Sequence, residues 1–286
     1  MADKVKKLAT NVQGNFFVDS TCIDCETCMW IAPNTFGEKE DQSHVHSQPE
    51  TKEERILALR ALFSCPTNSI GYLEKPEELT LVRNSFPIKI FDNVYHLGFH
   101  SEKSFGAASY FIQHEKGNIM IDSPRFYKPL AERLKELGGV KYLFLTHRDD
   151  VADHSLYHEF FGCDRIIHID DSRNLKVERN ISGKDIQKIY EDVFMIPTPG
   201  HTRGSVCLLY RNEFLFTGDH LAYSNYRKHL IGFRNACWYS WDELKVSMRR
   251  LYDYEFRFIL PGHGFPYTTE TVEEMKQAMK VCLDSL

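Results

Sequence analysis

Apolar residues recur along this chain in two rhythms. Short runs such as NIMID (118–122), KYLFLT (141–146), RIIHI (165–169), VFMIP (193–197), SVCLLY (205–210) and EFLFTG (213–218) are strand-sized and bounded by turn residues. Elsewhere the spacing lengthens to that of a helix with one apolar face. YKPLAERLKELGG (127–139) is such a stretch, and two glycines stop it. WDELKVSMRRLYDY (241–254) starts beside a capping pair, Ser240 and Glu243, and TVEEMKQAMKVCL (271–283) is a last helix. Upstream, Thr51 and Glu54 form a capping box ahead of Ile56, Leu59 and Phe63 at helical spacing, which predicts a helix ending near Cys65. The polar stretch before it reads as a loop or short hairpin. Strands mixed with helices predict an α/β chain built in layers. Residues 73–89 mix charge and proline without periodicity, which puts a boundary near 80, with a small domain over 1–80 and a larger one over 81–286.

Composition narrows the partners. Hydrophobic residues at 42% and charged residues at 26% suit a globular chain with real cores. A net charge of -5 argues against nucleic acid, whose binders usually present a basic face. The longest apolar runs, such as FRFIL, are too short to span a bilayer, and the basic opening MADKVKKLATNV lacks the apolar stretch of a signal peptide. A cytoplasmic location is therefore expected, where thiols stay reduced. The expected partners are a small-molecule substrate and a redox partner protein, with neither nucleic acid nor membrane; the oligomeric state is left open.

Reduced thiols matter because TCIDCETCMWIAP places Cys22, Cys25 and Cys28 two residues apart, and LFSCPTNSI adds Cys65 before Pro66. Such spacing points to metal or cluster ligation rather than disulfides. Zinc sites usually pair two separate C-x2-C knuckles, which this pattern fits less well. Three evenly spaced thiolates suit three corners of a cube, closed by a distant fourth. The run resembles that of bacterial ferredoxins with the fourth cysteine replaced by Ala32 and the following proline kept as Pro33. Residues 14–75 thus resemble a single-cluster ferredoxin, a small α+β domain. With Cys25 present, the resemblance implies a [4Fe–4S] cluster on Cys22, Cys25, Cys28 and Cys65. The other cysteines, 163, 207, 237 and 282, lie outside the pattern.

In the larger domain, polar residues gather at strand ends: Asp122 in IDSP, the run LTHRDDVADH (145–154), His201 in TPGHTRGS, Asp219 in FTGDH and His263 in LPGHG. Small residues at these turns let backbone approach a shared centre. In this order the segments resemble the metallo-β-lactamase superfamily of hydrolases and oxidoreductases. The resemblance implies an αβ/βα four-layer sandwich over residues 90–286. It also implies a binuclear centre, with His147 and His201 on the first metal, Asp153, His154 and His263 on the second, and Asp219 bridging. Asp122 would orient the site. Asp150 and His220 are further candidates for catalytic or supporting duties.

LTHRDDVADH departs from the usual T-H-x-H-x-D-H motif. Its middle is two residues longer, and Asp149 stands where the second histidine belongs. A carboxylate is a harder ligand than imidazole and shifts preference from zinc toward iron or manganese. Flavodiiron proteins, a redox branch of the superfamily, also place a carboxylate there, although theirs is glutamate. Three readings follow. The first and favoured is a binuclear-iron oxidoreductase fed by the N-terminal cluster. The second is a zinc or iron hydrolase of small esters or thioesters with a structural or redox-sensing cluster. The third is an electron carrier with a degenerate site. The loop YHLGFHSEKSFGAASY, with His96, His100, Ser101 and Lys103, either overhangs the site or is strand-edge surface. The aromatic and basic stretch after Asp219 either lines a pocket or packs.

Overall fold

The computed structural model describes residues 2–173 and 175–286. Its larger part is two facing sheets. One runs, in spatial order, Arg179–Ile181, Asp164–His168, Tyr142–Phe144, Ile119–Ile121, Tyr110–Ile112, Val94–His96 and Ile88–Phe91. The other runs Gln187–Tyr190, Val193–Pro197, Val206–Tyr210, Phe214–Gly218, Phe258–Pro261 and Tyr267–Thr268. Alternation along each strand builds the layers, because successive side chains point to opposite faces. Ile119, Ile121, Tyr110 and Phe144 from the first sheet meet Val206, Leu208, Phe214 and Phe216 from the second in one buried cluster. Their neighbours point the other way. Met120, Leu143 and Ile167 pack under the helices Lys128–Glu136 and His154–Phe161, while Cys207, Leu209 and Leu215 pack under Trp241–Leu251 and Val272–Asp284. Helix, sheet, sheet and helix form the four expected layers.

The N-terminal part pairs Phe16–Val18 with Ile70–Tyr72, antiparallel, and carries the helices Thr27–Ile31 and Lys52–Ser64. The capping box of Thr51 and Glu54 is formed on both sides, and Cys65 is the residue that ends the longer helix. The polar stretch before it is the hairpin Phe36–Lys39 with Gln42–Val45. Its apolar residues do not stand apart. Phe16, Met29, Leu59 and Leu62 share one buried cluster with Phe111 and Met120 from the outer face of the first sheet and with Phe99 from the loop after Val94–His96. Within the stretch read as linker, Leu79–Arg83 is a short helix, and Val82 and Phe86 are buried in the same cluster. Among the described residues no helix is long and apolar enough to cross a membrane.

Candidate metal centre

Thr146 lies two residues beyond the strand Tyr142–Phe144, and Asp122, just after Ile119–Ile121, accepts hydrogen bonds from both the Thr146 backbone N–H (2.8 Å) and its hydroxyl (2.9 Å). The hydroxyl proton is thereby committed to Asp122. Thr146 Oγ1 can then only accept from His147 Nδ1, 3.0 Å away. That assigns the Nδ1–H tautomer and leaves Nε2 bare, as a ligand imidazole requires. Burial lowers the His147 pKa to about 4, so the ring stays neutral.

Around that nitrogen the polar side chains converge. His147 Nε2 lies 3.7 Å from Asp219 Oδ2, 3.9 Å from Asp150 Oδ2 and 4.0 Å from Asp149 Oδ2. His201 Nε2 lies 3.5 Å from Asp149 Oδ2 and 3.6 Å from Asp219 Oδ2. His263 Nδ1 is 2.8 Å from Asp219 Oδ1, and its Nε2–H donates to Ser104 O at 3.2 Å. Two groups of potential ligands result: His147, His201 and Asp219, and Asp150, Asp219 and His263, with Asp219 common to both.

The donors fit a pair of metal ions. Ligand atoms about 2.1 Å from one ion stand about 3.4 Å apart in a tetrahedron, close to the separations seen here. His147 Nε2, both oxygens of Asp150 and both ring nitrogens of His201 are buried with no protein partner. Orphaned polar atoms in such number are costly unless an ion satisfies them. Charge leads to the same place. Burial alone would lower the His263 pKa, but Asp219 and Asp150 outweigh it and raise it to about 10. The centre therefore favours a cation there. Backbone makes room for the carboxylates. At Gly262 a Cβ would lie 2.6 Å from Asp150 Oδ2 and 2.9 Å from Asp219 Oδ1.

The edited run resolves into inward and outward residues. Asp149 and Asp150 point into the centre, but Asp153 and His154 stand apart from it. Asp153 precedes the helix His154–Phe161, pairs with Lys103 Nζ (2.6 Å) and accepts from the Phe126 N–H (2.8 Å). His154 Nδ1 lies 3.4 Å from the Arg165 guanidinium. Both were expected to hold the second metal; in the structure it is Asp150, three residues after His147, that stands with Asp219 and His263. Asp122 supports through Thr146, as described. Its pKa is raised to about 8 by burial, against its hydrogen bonds from Thr146. His220 is buried with both ring nitrogens unpartnered, and burial, with His201 nearby, lowers its pKa to about 3. One organiser had no sequence signal. Asp171 accepts from Arg148 N, Thr202 Oγ1 and Gly204 N, tying the His147 loop to the His201 loop.

The cysteines form a second site. Burial drives the Cys28 thiol pKa well above its ordinary value and that of Cys25 up to about 11, with smaller contributions from the neighbouring cysteines. The four sulfurs are thus close, yet among the described residues no three of them lie within 4.8 Å of one another. Tetrahedral zinc at about 2.3 Å would hold them about 3.8 Å apart, so the wider spacing suits a cluster. The Ser69 N–H donates to Cys65 Sγ at 3.2 Å, the kind of bond that stabilises a cluster thiolate.

Comparison with known proteins agrees with both halves. Residues 18–72 match the 4Fe-4S single cluster domain of ferredoxin I. Solved structures match about two thirds of the chain in fold. DIM-1 is 15% identical with a TM-score of 0.52, covering 68% of this chain and 95% of its own. VMB-1 is 18% identical, with a TM-score of 0.51 and coverages of 68% and 95%. The enzyme of Hirschia baltica is 14% identical, with a TM-score of 0.50 and coverages of 67% and 96%. The chain has the metallo-β-lactamase fold. No curated protein matches it in sequence. It joins this fold to a segment that matches a ferredoxin-type iron–sulfur domain.

The two sites meet in one cleft of about 880 Å³, lined by Cys25, Asp149, Asp150, His201, Asp219 and His263. Phe105 and Trp238 form part of its wall. Phe105 is held at φ 47°, a left-handed conformation rare for a bulky residue, with its ring 6.1 Å from that of His263. The Trp238 ring lies 6.2 Å from that of His201.

Proposed function

We propose that the protein is a redox-coupled oxidoreductase, in which a binuclear centre, with iron favoured over manganese or zinc, draws electrons from the [4Fe–4S] cluster and acts on a small molecule in the cleft. The observation that carries this reading is the shared cleft: Cys25, a cluster ligand, lines the same space as the carboxylate-rich centre. A hydrolase has no need of that arrangement. Gly106 packs directly on Cys25, and two residues earlier Ser104 O receives the His263 N–H, so one short loop joins the ligands of both sites.

His147, His201 and Asp149 would hold the first metal, Asp150 and His263 the second, and Asp219 both. Two irons there would supply one-electron steps to a bound molecule. Asp149, Asp150 and Asp219 give the centre three carboxylates, hard ligands that suit iron or manganese. Thr146 and Asp122 fix the His147 ring, and Ser104 fixes that of His263. Phe105, Phe233 and Trp238 give the cleft apolar walls that displace water from the reacting groups. Electrons would reach the cluster from a redox partner protein in the cytoplasm.

Anaerobic analysis of metals and labile sulfide tests this. About six irons and four sulfides per chain, with turnover of oxygen, peroxide or nitric oxide that stops when the cluster is removed, is the expected result. About four irons with two zincs would favour the second reading, a hydrolase. Two of the solved proteins named above, DIM-1 and the enzyme of Hirschia baltica, support that alternative, since each is called a metallo-β-lactamase.

A further inference from the structure

Behind Cys25 lies a line of buried polar groups that the metal centre does not use. His96 Nε2 and His100 Nε2 are 2.7 Å apart. His100 Nδ1 lies 2.8 Å from Gly106 O and 3.1 Å from Thr27 Oγ1, and Thr27 Oγ1 lies 3.4 Å from Cys25 Sγ. The protons along this line are assignable. Gly106 O can only accept, so His100 Nδ1 carries hydrogen and, in the neutral ring, Nε2 is bare. His96 Nε2–H must then donate to it, which leaves His96 Nδ1 as the free base. At the other end the Thr27 hydroxyl is 3.4 Å from the Cys25 sulfur and 3.5 Å from Gly106 O, and a cluster thiolate is the stronger acceptor. His96 thus donates to His100, His100 to the carbonyl of Gly106, which packs on Cys25, and Thr27 to the Cys25 sulfur. The far end opens on a cavity of about 230 Å³, lined by His96, Arg60, Trp30, Tyr110 and Thr268 among others, through which water can deliver a proton.

We propose that His96 and His100 form a redox-linked proton site, binding one proton at His96 Nδ1 as the cluster on Cys22, Cys25, Cys28 and Cys65 accepts one electron. The electron comes from an external one-electron reductant and the proton from water in the cavity. One N–H bond forms at His96, one O–H bond breaks in the proton donor, and the charge added to the cluster is offset by the imidazolium. This rests on the cluster assignment alone and stands whether the binuclear centre is redox-active or hydrolytic.

The surroundings suit such a site. Burial lowers the pKa of His96 to about 3, aided by Arg60, and that of His100 well below its ordinary value, aided by His96, Arg125 and His263. The Tyr110 ring, 6.1 Å from His96, has its own pKa raised by burial and stays neutral. The pair is thus neutral until negative charge arrives nearby, and reduction of the cluster supplies that charge.

The test is the cluster's midpoint potential in the full chain, read by EPR during anaerobic titration with dithionite between about pH 5.5 and 9. The expected result is a potential that falls by about 59 mV for each tenfold drop in proton concentration over part of that range. In H96Q and H100Q the potential should be independent of pH, with iron and sulfide content unchanged. If one variant loses its cluster the other gives the same reading, since either substitution breaks the Nε2 pair. A flat profile in the unmodified protein overturns the proposal, and so does a slope that survives in either variant.

Discussion

Gly262→Ala tests the metal centre at its tightest point. The residue lies between Pro261, at the end of a central strand, and His263, and its backbone is pinned on both sides. Its N–H donates to Gly218 O (2.8 Å), its carbonyl accepts from Ala108 N (2.8 Å), and Tyr110 holds the preceding carbonyl at 2.7 Å. The backbone cannot yield, so the side chains it faces must. To reach ordinary contact with a new methyl group, Asp150 Oδ2 has to retreat by about 0.8 Å and Asp219 Oδ1 by about 0.5 Å from the built positions. Metal–ligand distances tolerate about 0.2 Å. Displaced supporting groups already cost about 10–100-fold in affinity, so shifting two ligands should cost at least about 100-fold, or about 2.7 kcal/mol. Overpacking itself should lower stability by about 1–3 kcal/mol. Gly262 has no left-handed φ, so no backbone strain confuses the comparison. Competition against a fluorescent chelator measures the affinity, and near-UV circular dichroism checks that the variant is folded. Affinity within about threefold of the parent in a folded variant would falsify the placement of Asp150 and Asp219 as ligands.

Other substitutions separate the remaining parts. Asp149→Ala should weaken the first metal by at least about tenfold while sparing the second, because Asp149 approaches His201 and His147 but lies outside the group around His263; two metals per chain at unchanged affinity would remove it from the ligand set. Gly106→Ala puts a methyl 2.8 Å from Cys25 Cβ and 2.9 Å from its sulfur, at a φ of +90°, and should cost about 1–3 kcal/mol and lower the iron and sulfide retained after gel filtration; full retention would mean the contact is looser than drawn. Glu178 accepts the Arg165 guanidinium at 2.8 and 3.0 Å and its backbone N–H at 2.8 Å, and the Arg165 bonds lower its pKa from 4.5 to about 2. A depressed carboxylate stabilises above its unfolded pKa and loses that contribution as pH falls through the folded one. Glu178→Gln should therefore cost about 1 kcal/mol at pH 7, after solvent screening of a partly exposed pair, and the gap in urea midpoints should narrow from about pH 5 to pH 3; a constant gap would show that charge is not the source.

The cysteine site was legible because its chemistry is local. Cys22, Cys25 and Cys28 lie within one turn-and-helix segment, and the helix that brings Cys65 announces itself through Thr51 and Glu54. The layers were legible too, since alternating strands and one-faced helices can bury their apolar sides in few ways. In the metal centre, His147, His201, Asp219 and His263 stood out as polar residues on small turns at strand ends. The choice among the crowded carboxylates of 145–154 was different. Asp150 and Asp153 are equal candidates in a linear chain, and only distant neighbours distinguish them. Gly262 leaves room for Asp150, whereas Lys103 and the Phe126 N–H engage Asp153, and Arg165 stands beside His154. The cleft shared by the two sites, and the placement of the His96–His100 pair behind Cys25, likewise depend on contacts between segments some 70 or more residues apart. Local spacing encodes which groups can bind a metal; the path of the backbone through space decides which of them face the same point.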